Sequence, residues 1–319
     1  MTDSFLKYME RLGLAASTRK HYQTYILDFL AWLDGQNMDV EGCSSRDVVA
    51  YLHHLKTPMR NGGQGLSNLT RSIRLNVLEH FFNYLIGLGA RMDNPARHLK
   101  IRGAHGQKLY PILSREELAE LVDEYDIPKE DDPNCRKNWF QLSVLSRKRN
   151  RVILGLMVYQ GLTTPEVDRL ELNDLRLREG MIHIAGSIKG KERVLELKAH
   201  QIVDLMEYLS DTRSELLQYC PESCTNVFLA TPPAGRKIME SYSSQGIWKR
   251  LTQDIKKEFP RFVNFKQVRA SVITHWLGEH NLREVQYMAG HHLVTSTERY
   301  LVNRMDDLLE DVERFHPLG

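Results

Sequence analysis

Between Tyr22 and Leu85 the apolar residues return every three or four positions, and no other feature restricts the possible folds of this chain as much. That period belongs to helices that bury one stripe and wet the other. Tyr22, Tyr25, Ile26, Phe29, Leu30 and Leu33 form the first stripe, in a helix that Ser17 can cap and Gly35 can end. Val48, Val49, Tyr51, Leu52 and Leu55 form a second stripe, opened by Ser45. After a loop rich in Gly and Asn, a third helix runs from about Ser67 through Ile73, Val77, Phe81, Phe82 and Leu85 to the glycines at 87 and 89. Arg71 and Arg74 sit three apart on one face of it.

Asn94-Pro95 and the basic stretch 97–103 break this pattern, as a linker would. A chain of 319 residues is long for one core, so the reading is a helical domain at residues 1–103 and a second domain at 108–319. Ser114 and Glu117 are spaced as a capping box at the start of the second domain. Residues 152–159 are almost wholly apolar, which predicts a helix buried on nearly every side. From Leu175 to Leu197 the period falls to two, and segments 181–185 and 193–197 predict short strands joined by a turn over 186–191. The expected fold class is therefore mainly α: a helical N-terminal domain, then a mostly helical domain with a small antiparallel sheet.

Charge narrows the partners only locally. The net charge is +2, yet residues 1–105 hold 13 basic against 9 acidic side chains. A nucleic-acid surface would thus be a patch, not a global field. The first residues are mixed and charged, unlike a signal peptide, and no apolar run approaches the roughly 18 residues of a membrane span. A cytoplasmic protein with no membrane partner is expected. Four cysteines without a secretory signal read as reduced thiols, and Cys220 and Cys224 with His200 lack the spacing of a zinc knuckle. No metal or cofactor is expected.

The segment that carries chemistry is 289–300, Ala-Gly-His-His-Leu-Val-Thr-Ser-Thr-Glu-Arg-Tyr, in which His291 precedes Tyr300 by nine residues. Segment 264–269, Asn-Phe-Lys-Gln-Val-Arg, places Arg269 some twenty residues earlier. Together they resemble the C-terminal half of the tyrosine recombinases, the phage integrase and Xer group. Segment 161–167, Gly-Leu-Thr-Thr-Pro-Glu-Val, is similar to that family's Gly-Leu-Arg-x-x-Glu-Leu box. The turn with Lys189 resembles its lysine-bearing turn, and the N-terminal helices resemble its core-binding domain. The resemblance runs over nearly the whole chain.

It implies a site-specific recombinase or integrase that breaks and rejoins DNA through a 3′-phosphotyrosine and a Holliday junction. A phosphodiester is anionic and resists attack, so such a site must neutralise charge, supply a nucleophile and protonate the departing 5′ oxygen. By resemblance Tyr300 is the nucleophile and Arg269 clamps the phosphate with its planar fork. His291 donates to the phosphate or exchanges protons with the tyrosine, and Lys189 protonates the leaving group. Lys266 stands where the motif usually has histidine. The covalent bond keeps the energy of the broken linkage, so rejoining needs neither ATP nor metal. The implied partners are double-stranded DNA with paired half-sites and three further copies of the chain in a synaptic tetramer, nucleoid-associated if the source is prokaryotic. Arg19, Lys20, Arg71 and Arg74 are the DNA-contacting candidates. Met305, Leu308, Leu309, Val312 and Phe315 form an apolar stripe of the kind family members pass to a neighbour.

One position departs seriously. Thr163 stands where the first catalytic arginine is expected, and losing one preorganised donor costs about 10² to 10³ in rate. Thr163 or Thr164 suits capping of the next helix, with Pro165 in its first turn. The nearest arginines in sequence are Arg151 and Arg169, and Arg151 lies about 18 Å away along a straight helix. The competing reading is a catalytically impaired DNA-binding accessory or regulatory protein of the same family.

Overall fold

The computed structural model describes residues 2–57, 64–103, 110–128, 132–137, 139–188, 190–220, 224–232 and 244–301. The chain divides into two compact units, Met1–Lys108 and Leu109–Gly319. Lys189 and the apolar stripe from Met305 to Phe315 lie outside the described residues.

Four helices build the first unit: α1 (Thr2–Arg11), α2 (Ala16–Gly35), α3 (Ser45–His54) and α4 (Asn68–Gly87). Ile26, Phe29 and Leu33 of the first sequence stripe are buried, as are Val77, Phe81, Phe82 and Leu85 of the third. Phe5 and Met9 bring α1 into the same core, two anchors set in a charged stretch that shows no apolar stripe. Two caps differ by a residue or more. Helix α2 begins at Ala16 after Ala15, with no side-chain cap, so Ser17 is inside it. Ser44, not Ser45, precedes α3, and its N–H and Oγ both donate to Asp47. Ser67 caps α4 by accepting from the Thr70 N–H.

The candidate DNA-contacting residues here are placed unequally. Arg71 is buried, with its terminal nitrogens on the Leu52 carbonyl (3.2 Å) and Asn68 Oδ1 (2.6 Å). Arg74 pairs with Asp28 at 2.9 Å, donates to the Tyr51 hydroxyl and lies over the Tyr25 ring. Both guanidiniums are thus internal ties through their terminal nitrogens, while each Nε is buried without a partner among the described residues. Arg19 pairs with Glu10 at 2.5 Å, and Lys20 is exposed.

The second unit contains α5 (Arg115–Asp123), α6 (Phe140–Tyr159), α7 (Thr164–Arg169), strands β1 (Leu175–Arg176), β2 (Met181–Ile184) and β3 (Arg193–Glu196), then α8 (Ala199–Glu207), α9 (Arg213–Leu217), α10 (Gln245–Glu258), α11 (Phe265–Glu279), α12 (Leu282–Ala289) and α13 (Val294–Glu298). Helix α6 is the central post, packed against α5, α8, α10 and α11, with Ile153, Leu154 and Leu156 fully buried. That explains the apolar run at 152–159. Ser114 and Glu117 close the capping box of α5. The sheet is antiparallel in the order β1-β2-β3, with Ile184 opposite Arg193 and Met181 opposite Glu196. The fold is mainly α with a small antiparallel sheet, as the change of period predicts. Among the described residues no helix is long and apolar enough to cross a membrane.

Candidate active site

Helix α11 sets the site's first side chain. Asn264 caps it by accepting from the N–H groups of Lys266 and Gln267. Gln267, fully buried, then ties two backbone segments: it accepts from Val263 N–H and donates to the carbonyls of Arg261 and Pro111. One turn of fixed helix therefore presents Arg269, half-buried, toward two loops. One terminal nitrogen donates to the Gly161 carbonyl. The other donates to the Ala289 carbonyl at 2.5 Å and stands 3.5 Å from His291 Nε2. Gly161 adopts φ +58° with the Trp276 ring 2.9 Å from where a Cβ would stand, so the turn that exposes its carbonyl accepts no side chain. Lys266 is exposed on the first turn of the same helix, three residues before Arg269.

The second loop ends α12. Gly290 has φ +68° and crosses over the Arg193 guanidinium, where a Cβ would collide. This tight reversal delivers His291. Its Nδ1 meets the buried Thr297 hydroxyl at 2.9 Å, and its ring stacks on Tyr300 with planes 6° apart and centroids 5.9 Å apart. Burial, Arg269 and Arg193 push the His291 pKa down to about 4, so the imidazole is neutral at ordinary pH. A guanidinium only donates, so the nitrogen facing Arg269 is the unprotonated one, and Nδ1–H donates to Thr297. Tyr300 stands two residues past the end of α13, with its hydroxyl near the Arg269 guanidinium.

Beneath these groups lies Glu166, on the first turn of α7. Its Oε2 accepts from the N–H and hydroxyl of Thr163, both at 2.8 Å, and stands 3.8 Å from Arg269. Its Oε1 accepts from Arg193 at 2.7 Å. Burial alone would raise this carboxyl, but the hydrogen bond and charge of Arg193, the Thr163 N–H and Arg269 outweigh it and hold the pKa at about 2. Thr163 thus serves as the helix cap that its sequence position suits.

The β2–β3 hairpin is tied to the same loop. Lys191 N–H donates to the Gly290 carbonyl at 2.8 Å, and His292 Nε2 faces the Ser187 carbonyl at 3.1 Å. The Tyr287 hydroxyl accepts from Val194 N–H and donates to its carbonyl, closing the free edge of β3. Ser187 and Gly190, on either side of Lys189, bond to each other through their backbones.

The structure brings Arg269, His291 and Tyr300, the three residues singled out by the resemblance, close together. Sequence reasoning missed Arg193 and Glu166. The signal for Arg193 was present: alternation along β3 puts it on the same inward face as buried Leu195. The arginines considered for the gap at Thr163 lie elsewhere. Arg151 lines a cleft with Lys148, Asp204 and Glu207, and Arg169 sets its charge beside Asp168.

The sequence pattern of the phage integrase family matches residues 140–306, and that of the phage integrase N-terminal SAM-like domain matches residues 1–89. The chain is 28% identical to the tyrosine recombinase XerD of Pseudomonas aeruginosa, over 100% of this chain and 98% of the relative. It is 27% identical to the tyrosine recombinase XerC of Proteus mirabilis, over 99% and 93%. Among solved structures, the XerH site-specific recombinase bound to a palindromic difH substrate in a post-cleavage complex is similar at TM-score 0.66 and 19% identity, over 92% of this chain and 79% of that one. A lambda integrase tetramer bound to a Holliday junction is similar at TM-score 0.60 and 14% identity, over 93% and 75%.

Proposed function

The chain belongs to the phage integrase family and is a site-specific tyrosine recombinase, and we propose that Tyr300 is its nucleophile and that it cuts and rejoins duplex DNA at paired half-sites. The observation that carries this assignment is the convergence of Arg269, His291 and Tyr300 from three separate segments upon one point.

The family resemblance and the geometry together support the following chemistry. The Tyr300 oxygen attacks the scissile phosphorus as the bond to O5′ breaks, leaving a 3′-phosphotyrosine and a free 5′ hydroxyl. Neutral His291, its unprotonated nitrogen facing the site, takes the tyrosine's proton. Arg269 neutralises the phosphate and is fixed before DNA arrives, so no reorganisation is needed at the moment of reaction. Lys189 protonates O5′, and the hydrogen bonds at Lys191, His292 and Tyr287 hold the flanks of its turn against the His291 loop. Attack by the 5′ hydroxyl of a second strand reverses the step and joins the two. Exchange of both strand pairs gives the Holliday junction, within a homo-tetramer on two sites. The first unit serves as the core-binding domain, with Lys20 and Arg19 toward the DNA backbone.

The test is a duplex selected for binding and nicked beside the scissile position, so that the cut strand diffuses away and traps the enzyme. The wild type forms a detergent-resistant adduct, and Tyr300→Phe forms none while its DNA affinity is unchanged. An adduct that survives Tyr300→Phe overturns the assignment.

A further inference from the structure

Thr163 gives the site no cation, and the structure holds one that the family resemblance did not point to. Glu166 stands 3.8 Å from Arg269, in a seat that is to receive an anionic phosphate. An unpaired carboxylate there would repel the phosphate and cancel the guanidinium. It is paired with Arg193, whose side chain is fully buried beneath Gly290. With Glu166 charged and His291 neutral, Arg193 and Arg269 leave this group one positive charge in excess; without Arg193 there is none. In a buried setting one charge carries far more weight than in water.

A purely structural arginine at this depth ordinarily has its donors satisfied. Arg213 follows that rule, bonding the carbonyls of Asn226 and Val227, and Arg149 bonds the Leu229 carbonyl and Asn150. Arg71, Arg74 and Arg91 leave only Nε unpartnered, whereas Arg193 leaves both Nε and Nη2 without a hydrogen-bond partner among the described residues, and its polar contact is the ion pair with Glu166. Resting on the recombinase reading, we propose that Arg193 is a positioning residue that supplies the charge missing at Thr163. It cancels Glu166 from beneath, so that Arg269 meets the scissile phosphate with its charge undiminished.

The experiment is single-turnover cleavage of nicked duplexes carrying either a phosphodiester or a neutral methylphosphonate at the scissile position, with melting temperature and DNA affinity measured for each protein. Arg193→Gln keeps a donor for Glu166 without the charge; it is expected to lose about 10²-fold on the phosphodiester and only a few-fold on the methylphosphonate. Arg193→Lys stays within about ten-fold of wild type on both. Glu166→Gln/Arg193→Gln buries no lone charge and restores the wild-type balance, so it recovers to within about ten-fold, and it carries the test alone if Arg193→Gln does not fold. The proposal is overturned if Arg193→Gln cleaves the phosphodiester as fast as wild type, if it loses equally on both linkages, or if the folded double variant remains about 10²-fold slow. A wild type that forms no adduct on either DNA overturns the recombinase reading together with this one, whereas normal wild-type cleavage with any of those patterns overturns the role of Arg193 alone.

Discussion

At residue scale, the site sets two guanidiniums, Arg193 and Arg269, against one buried carboxylate, Glu166. Glu166 is ionised down to about pH 2 because Arg193, Thr163 and Arg269 hold it, against an ordinary value of 4.5. Its folded pKa is depressed, so the stability it contributes is complete above about pH 4.5 and is lost as pH falls through about 2. Glu166→Gln should flatten melting temperature against pH across that window; an unchanged profile would mean the pair does not hold the carboxylate as described. His291 is depressed as well, from 6.5 to about 4. Between those values the free enzyme keeps a neutral imidazole, so the second-order cleavage rate should not fall from pH 7 to pH 5 as it would with an ordinary histidine base. A rate that halves near pH 6.5 and is abolished in His291→Asn would contradict this placement. Thr163 acts through its cap: Thr163→Ala removes the hydroxyl bond to Glu166 and should destabilise the second unit by about 0.5 to 2 kcal/mol, read from denaturant unfolding. These roles were partly legible. The spacing of Arg269, His291 and Tyr300 stood in the sequence, whereas Arg71 and Arg74 read as candidates for DNA contact because no pattern announces that a carbonyl or a tyrosine waits for a guanidinium.

At the scale of elements, the hairpin and the end of α12 behave as one device. The backbone bond from Lys191 to Gly290, the His292 contact to Ser187 and the Tyr287 hydroxyl on Val194 join three points of the hairpin to α12 and the loop after it that carries His291. Tyr287→Phe removes both bonds to Val194, and hydrogen exchange at the Val194 amide should then speed up by at least about five-fold, the equivalent of one net hydrogen bond. Protection equal to wild type would show that the strand edge needs no such closure. The hairpin itself was readable from the change of period, the start of α4 near Ser67 from its apolar stripe, and the cap at Ser114 from its spacing to Glu117. Strand β1 was not, since two residues, Leu175 and Arg176, offer no alternation to count. Arg193 was hidden by the opposite difficulty: its position on the inward face was countable, but a basic residue there has a meaning only once Glu166 is known to lie across from it.

At the scale of the whole molecule, each of the two units has its own buried core. A fragment spanning 109–319 should therefore form the covalent adduct on nicked DNA at high concentration. Its affinity should be weaker than that of the full chain and its dependence on salt shallower, because phosphate contacts from the first unit are gone. Equal affinity and an equal salt slope would remove the first unit from DNA binding. The central claim is narrower, that the bond to DNA is made by Tyr300. It is tested most directly by digesting the trapped adduct with protease and nuclease and locating the residual nucleotide by mass spectrometry. The account predicts a phosphodiester-linked nucleotide on the Tyr300 hydroxyl, and a nucleotide on any other residue, Tyr287 included, would contradict it.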